Sequence, residues 1–378
     1  MAAHAISDSA LPMASDFQKT VAHTGHWINE PSRHFARGVI HLLYSPINRE
    51  NLLWEIASKV EDVFIVGLSF PLAALSLGLS TPCYLTAFYA GPGRFERLDP
   101  PPFVFPLPLP QKKVRIAIIN FCAQDPWSLL SGGKLPPLAS EPNGQTRADK
   151  LIERLIREKP DVLCGQEFDH LPTTQKISDK LTQQGYSCFW DLGCHTLFNH
   201  SGLFFAASPS VIDSIAFRRF HPEHVSGVTS WCDRGILEVT VPLQDRFLKV
   251  LNFHLNSGSG PKDSTSRLFQ LKTYITPSLK GTHALAVGDA NLDTSELSDI
   301  ERAETGLLGL TNALEGQVTC SDEGKHILLG KDRKDCRECK EKIDAIFIDP
   351  LYVRIEKIEI EDGYSDHKLI FFTASLVV

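Results

Sequence analysis

The chain has 378 residues, a formal net charge of −7, and 43% hydrophobic against 22% charged residues. That is room for one large domain plus an appendage, with the composition of a folded protein rather than a disordered one. The acidic balance argues against a protein that coats nucleic acid, whose phosphates require a basic face. Nine cysteines, an odd number with no framework spacing, point to a reducing compartment, and no secretory leader is evident.

The N-terminal region begins with scattered histidines (His23, His26, His34, His41) that lack carboxylate company and read as surface or interface residues. Next, VIHLLYSPINRENLLWEIASKV places Leu52, Leu53, Ile56 and Val60 at helical spacing, an amphipathic pattern suited to a membrane interface or a neighbouring helix. From Val63 to Gly93 there is no charged residue, and about 20 apolar residues suffice to cross a bilayer as a helix. Pro71 and Pro82 interrupt this run, which leaves a re-entrant hairpin as the alternative to a span. Cys83 within it is a candidate for lipidation if it faces the cytosol. The stretch 99–110 then carries six prolines among twelve residues and reads as a stiff, extended connector. The chain thus divides into a helical, apolar, membrane-associating region (1–98), a proline-rich linker (99–113) and an α/β domain in the cytosol (114–378).

In that last part, strands are predicted at Val114–Asn120, Val162–Gln166, Gly202–Ala207, Val211–Arg218, Gly235–Val241, Phe247–Phe253, Ala284–Gly288, Ile343–Ile348, Val353–Ile360 and Leu369–Thr373. Helices are predicted over RADKLIERLIREK, which Pro160 follows, over TTQKISDKLTQQG, which Gly185 ends, and over DSTSRLFQLKTYI, with Asp263 or Ser264 as N-cap. Many strands with few helices between them predict two packed sheets flanked by helices rather than a strictly alternating parallel sheet.

Polar residues stand at or just beyond the ends of these apolar runs: Asn120, Glu167, His254, Asp289, Asn291, Asp366 and His367. Strand ends are where α/β folds place their chemistry, and this set suits phosphodiester cleavage. That reaction needs charge neutralised on phosphate oxygens, an oriented water and help for the leaving alkoxide. A hard cation, Mg²⁺ or Mn²⁺, takes oxygen ligands, for which Glu167 is the best candidate and the Asn120 amide oxygen the second. Asp289 is suited to orienting or deprotonating the water, and Asn291 to holding developing negative charge. In Asp366-His367 an imidazole adjoins a carboxylate, and Asp344 is placed to fix the His367 tautomer by accepting a ring N–H. His254 is a second imidazole, able to protonate or hydrogen-bond a phosphate oxygen.

On these residues the stretch from Val114 to the C-terminus, roughly 265 residues, resembles the endonuclease/exonuclease/phosphatase (DNase I-like) superfamily. The resemblance implies a four-layered α/β sandwich of two packed mixed sheets. It also implies metal, water-activating and phosphate-binding roles for Asn120, Glu167, Asp289, Asn291, Asp366 and His367, with Asp344 orienting the histidine. The segments SGLFFAASPSVIDSIAFRRF, WCDRGILEVTV and NFHLNSG…STSRLFQL resemble the neutral sphingomyelinase branch, the last through Arg267, Gln270 and Leu271. This implies a phospholipid substrate, most closely sphingomyelin, split at a membrane surface to ceramide and phosphocholine, with no nucleic-acid partner. Arg234 is then a substrate-binding candidate, and Trp231 and Trp190 are candidates for an aromatic face against choline. A nuclease or an inositol-phosphate or phosphoinositide phosphatase is the alternative within the superfamily; a membrane-tethered binding protein without activity is the alternative outside it. NFHLNS departs from the branch pattern after Leu255. The stretch Cys320–Lys340 is an insertion whose Cys320, His326, Cys336 and Cys339 read as a loop rather than a zinc site.

Overall fold

The structure is a computed structural model. It describes residues 95–99, 111–123, 146–169, 171–191, 201–208, 211–226, 229, 234–243, 245–320 and 341–377, with isolated positions between 71 and 82. Strands in chain order are β1 (Phe95–Leu98), β2 (Lys113–Asn120), β3 (Val162–Gln166), β4 (Ser187–Asp191), β5 (Phe204–Ala207), β6 (Ser214–Arg219) and β7 (Gly235–Leu243). They continue as β8 (Arg246–His254), β9 (Ala284–Asp289), β10 (Thr311–Asn312), β11 (Asp344–Ile348), β12 (Val353–Glu361) and β13 (Leu369–Leu376). The main helices are α1 (Arg147–Glu158), α2 (Leu171–Gln183) and α3 (Pro261–Gln270). A π turn over Leu271–Ile275 carries α3 into a last turn, Thr276–Leu279, and α4 (Asp299–Glu304) follows.

Two mixed sheets form, one of seven strands in the order β1-β4-β5-β3-β2-β13-β12 and one of six in the order β10-β11-β9-β8-β7-β6. Their cores repeat one pattern. In the first, β12, β13 and β2 pair antiparallel, β2 and β3 parallel, and β3, β5 and β4 antiparallel. In the second, β6, β7 and β8 pair antiparallel, β8 and β9 parallel, and β9, β11 and β10 antiparallel. Each sheet therefore has one parallel pair whose C-terminal ends point the same way as the starts of its antiparallel neighbours.

Three apolar clusters fill the spaces. One lies between the sheets, with Ile118, Cys164, Phe205, Val239, Val250, Val287, Ile346 and Phe372 buried. A second packs α1 and α2 on the first sheet through Leu151, Leu155, Ile177 and Leu181. The third packs the segment after α3 on the second sheet through Leu271, Ile275 and Leu279. Helix, sheet, sheet and helix make the four-layered α/β sandwich. Strand β3 is buried at every position, which is why its sequence is a continuous run without the alternation of a one-sided strand.

Local chemistry sets the helix ends. Thr146 and Asp149 make a reciprocal capping box on α1, and Lys159 closes the helix in left-handed backbone before Pro160. Helix α3 starts earlier than predicted. Gly260 is its N-cap, and Asp263 is the third helical residue, whose carboxylate accepts the Gly260 N–H at 3.1 Å. Strand β1 pairs antiparallel with β4, and Asp99 accepts from Ser187 Oγ at 2.7 Å. Residues 95–99, read from sequence as part of the N-terminal region and linker, thus border the first sheet. Strands β1, β4 and β10 and helix α4 were not predicted; all are short, and a few residues carry too little periodicity to register. Trp190 is 1% exposed and stacks on Phe204 with centroids 6.3 Å apart, which corrects its candidacy as a ligand-facing ring. Trp231, Cys83, His326 and the N-terminal histidines lie outside the described residues. Among the described residues no helix is long and apolar enough to cross a membrane. Cys320 is disulfide-bonded, so it does not serve as a zinc ligand.

Candidate active site

The parallel pairs deliver the first four residues. In register, Asn120 faces Gln166 at the end of β2–β3, and His254 faces Asp289 at the end of β8–β9. Glu167 follows β3 directly. Asp344 starts β11 opposite Asp289, while Asp366 and His367 precede β13. All the predicted site residues among the described ones therefore gather at one end of both sheets. Below them a polar bridge ties the sheets together: Gln166 Nε2 donates to Asn252 Oδ1 at 2.6 Å, and Asn252 Nδ2 donates to the Gly165 and Phe204 carbonyls at 3.1 and 2.9 Å. Sequence reasoning passed over both residues. A buried Asn two positions before His254, inside an apolar strand, is the signal that marks them.

Asp289 is the centre of the cluster. Its Oδ2 accepts from Asn120 Nδ2 at 2.9 Å and lies 3.5 Å from His254 Nε2 and 3.6 Å from His367 Nε2. Its Oδ1 accepts the Asn291 N–H at 2.7 Å. Burial, together with the charges of Asp344 and Glu167, lifts the Asp289 carboxyl above the usual carboxylate range, against the pull of His367 and the Asn291 N–H. His367 is gripped from behind: both Asp344 oxygens lie within 3.1 Å of its Nδ1. Burial works against the charge on this ring, but Asp344 and Asp289 outweigh it and hold the His367 pKa well above the ordinary histidine value. Asp344 is itself anchored by its backbone N–H, which donates to Thr319 Oγ1 at 3.1 Å.

The second imidazole is set the other way. His254 is 1% exposed, and burial, then the charges of Arg234 and His367, push its pKa well below the ordinary value. Arg234 Nη1 packs on His254 Nδ1 and donates to the Ser201 carbonyl at 3.2 Å. At 7% exposed, Arg234 stands behind the imidazole rather than at an open face of the site.

Two loops are clamped by another residue that the sequence reading missed. Arg147, 3% exposed, donates to the carbonyls of Phe121, Tyr364 and Cys122 at 2.9, 2.9 and 3.1 Å. It thereby joins the loop after Asn120 to the loop before Asp366. Cys122 lies in the first loop. Burial, then the charges of Asp366 and Glu167, raise its thiol pKa, and hydrogen bonding to Asp366 adds to the rise. Asp366 also accepts from Ser365 Oγ at 2.9 Å. The Arg267–Gln270 pair acts one layer further out. Arg267 donates to the Asn256 and Gly258 carbonyls at 3.1 and 2.7 Å, and Gln270 accepts from Asn256 N–H at 2.9 Å. Together they hold the segment that follows His254.

Ligand atoms of Glu167, His254 and Asp289 lie within 4.8 Å of one another, as do those of Asp289, Asp344 and His367. The carboxylate oxygens of Glu167 and Asp289, with no thiolate among them, fit a hard divalent cation. The Asn120 amide holds Asp289 through Nδ2 and accepts Cys122 N–H through Oδ1 at 3.1 Å, leaving one Oδ1 lone pair for a cation.

No protein-family model matches the sequence, and no curated protein matches it significantly. Solved structures that match include an endonuclease/exonuclease/phosphatase from Beutenbergia cavernae (13% identity, 70% of this chain and 72% of that one, TM-score 0.48). Sphingomyelinase C from Streptomyces griseocarneus matches at 10% identity over 69% of this chain and 99% of that one, with TM-score 0.46. A D. rerio TDP2 complexed with single-strand DNA product matches at 17% identity over 70% and 100%, also with TM-score 0.46. At these identities the matches are a likeness of fold.

Proposed function

We propose that the protein is a Mg²⁺-dependent phosphodiesterase that hydrolyses a phospholipid, sphingomyelin being the foremost substrate. The observation that carries the phosphodiesterase reading is the convergence of Asp289 with Asn120, His254 and His367 at one end of two sheets, all within 3.6 Å of its Oδ2. Glu167, with the Asn120 oxygen, would hold the cation, which when bound would screen the phosphate and stabilise the leaving alkoxide. Asp289, with its raised pKa, is suited to taking a proton from the attacking water. Asn120 and Asn291 fix its carboxylate for that task. His367, kept charged by Asp344, places a positive N–H beside the phosphate oxygens as negative charge builds on them. Asn291 and His254 add hydrogen-bond donors to the same oxygens. Asp366 holds the protonated Cys122 thiol beside the cluster.

The lipid part of the reading is supported by the three sphingomyelinase-like segments and the acidic overall charge. Within the apolar N-terminal stretch, the helical positions Leu72, Leu75 and Leu79 are 60%, 59% and 57% exposed, the kind of stripe that enters a bilayer interface. We place the catalytic domain on a membrane surface through the residues that precede β1, on the cytosolic face. The test is a product assay with purified full-length protein, with and without Mg²⁺. Release of phosphocholine from sphingomyelin vesicles, lost in Glu167→Ala, is the expected result; cleavage of plasmid DNA or of inositol phosphates without lipid hydrolysis overturns the lipid assignment.

A further inference from the structure

We infer that Arg234 is a positioning residue that locks the His254 imidazole in the tautomer carrying its proton on Nε2, aimed at the reacting phosphate. A guanidinium offers five donors and no acceptor. Its Nη1 faces His254 Nδ1, so that nitrogen must present its lone pair, and the ring proton must sit on Nε2. Arg234 cannot turn away easily: it is 7% exposed, and the same Nη1 donates to the Ser201 carbonyl at 3.2 Å. On the far side of the ring, Nε2 looks into the cluster and is a buried nitrogen with no hydrogen-bond partner. Its nearest acceptors, Asp289 Oδ2 at 3.5 Å and Glu167 Oε1 at 3.7 Å, stand beyond hydrogen-bond reach. A buried donor left without an acceptor costs free energy unless a ligand supplies one. An oxygen of a bound phosphate would supply it.

The two imidazoles of the site then form a matched but opposite pair. Behind His367 stands the acceptor Asp344, which makes Nδ1 a donor. Behind His254 stands the donor Arg234, which makes Nδ1 an acceptor and leaves a single outward N–H. The residue behind each ring decides which of its nitrogens donates. Arg234, a substrate-binding candidate in the sequence, becomes a residue that acts on substrate through His254. This assignment depends on the phosphodiesterase reading only for the identity of the acceptor.

The test has two arms. In ¹⁵N-histidine-labelled wild-type protein, with His254 assigned by the signals lost in His254→Gln, the ring should show a protonated Nε2 and an unprotonated Nδ1 at neutral pH. A ring protonated on Nδ1 overturns the proposal. In the second arm, hydrolysis of bis(4-nitrophenyl) phosphate with Mg²⁺ is measured for Arg234→Met and Arg234→Gln. Loss of one preorganised donor predicts a fall in kcat of about 100-fold for Arg234→Met, with KM changed by no more than about twofold. Adding His254→Ala to Arg234→Met should cost no more than about threefold further, since the two act as one unit. Arg234→Gln, which keeps an N–H donor, should recover about tenfold. A raised KM with kcat retained, or independent losses in the double variant, would show direct substrate binding and sink the idea. If the wild-type protein leaves the diester intact, the phosphodiesterase reading fails while the spectrum still decides the tautomer. The spectrum also decides if the Arg234 variants do not fold.

Discussion

Glu167, Cys122 and Asn291 have φ values of 55°, 49° and 49°, in the left-handed region that non-glycine residues seldom occupy. All three follow a strand end at the site, and holding a residue there costs about 1 kcal/mol or more. At Glu167 the turn brings the carboxylate oxygen to 3.7 Å from His254 Nε2, so the strained backbone accompanies the placement of the candidate metal ligand. Replacing Glu167 with Gln keeps shape and removes charge. Activity should fall by about 100-fold or more, with a higher Mg²⁺ requirement and an unchanged thermal midpoint, measured by Mg²⁺ titration of diester hydrolysis and by circular dichroism. Asp344→Asn should lower kcat by about 100-fold through loss of the charge behind His367; steady-state kinetics that show wild-type kcat would remove His367 from its assigned role. Glu167, Asn291 and Asp344 were legible in the sequence because they are polar groups at the ends of apolar runs. Arg147 and Asn252 were not, because their partners are backbone carbonyls and a distant side chain that only folding brings near.

At the scale of elements, the closeness of β8 and β9 decides where His254 and Asp289 meet. Gly288 has φ 145°, and a Cβ there would stand 1.9 Å from the Phe253 carbonyl oxygen. Gly288→Ala should destabilise the fold by about 3 kcal/mol, seen as a lower urea midpoint; a midpoint within error of wild type would refute this account of the pair. The start of α3 gives a pH-dependent case. The Asp263 carboxylate accepts from Ser226 Oγ at 2.6 Å, Gly260 N at 3.1 Å and Asn256 Nδ2 at 3.0 Å, and Ser226 foremost lowers its pKa. A folded-state pKa below the unfolded value contributes stability above about pH 4 and loses it as pH falls through the folded value. Asp263→Asn should therefore cost about 1 kcal/mol at pH 7, its partial exposure limiting the effect. The difference from wild type should be smaller at pH 2 than at pH 7. Equal differences at both pH values would show that the charge is irrelevant. The sequence reading placed Asp263 at the helix start but at the cap itself, since a capping side chain three residues inside leaves the same local signature.

For the whole molecule, the repeated pairing pattern of the two sheets explains why one site draws on residues from Asn120 to His367. Each sheet contributes one parallel pair, and the parallel pair is where two strands end side by side. The proposed contact with a lipid surface also concerns the whole chain. In the full chain, Leu72→Glu, Leu75→Glu and Leu79→Glu together alter only exposed side chains and should leave bis(4-nitrophenyl) phosphate hydrolysis unchanged. Co-sedimentation with sphingomyelin vesicles should fall by about tenfold or more, as the apolar contact is lost. Unaltered vesicle binding would remove this stripe from the membrane contact.

The sequence by itself determined the longer strands, the three main helices and the chemical types available at strand ends, since these follow from local periodicity, capping residues and the polar punctuation of apolar runs. Only the tertiary structure decided that the polar ends converge, that Arg234 stands behind His254 and Asp344 behind His367, and that two imidazoles of equal intrinsic basicity are set in opposite states. Proton affinity in a buried cluster depends on which charges and donors lie within a few ångströms, and those neighbours come from residues tens to hundreds of positions apart.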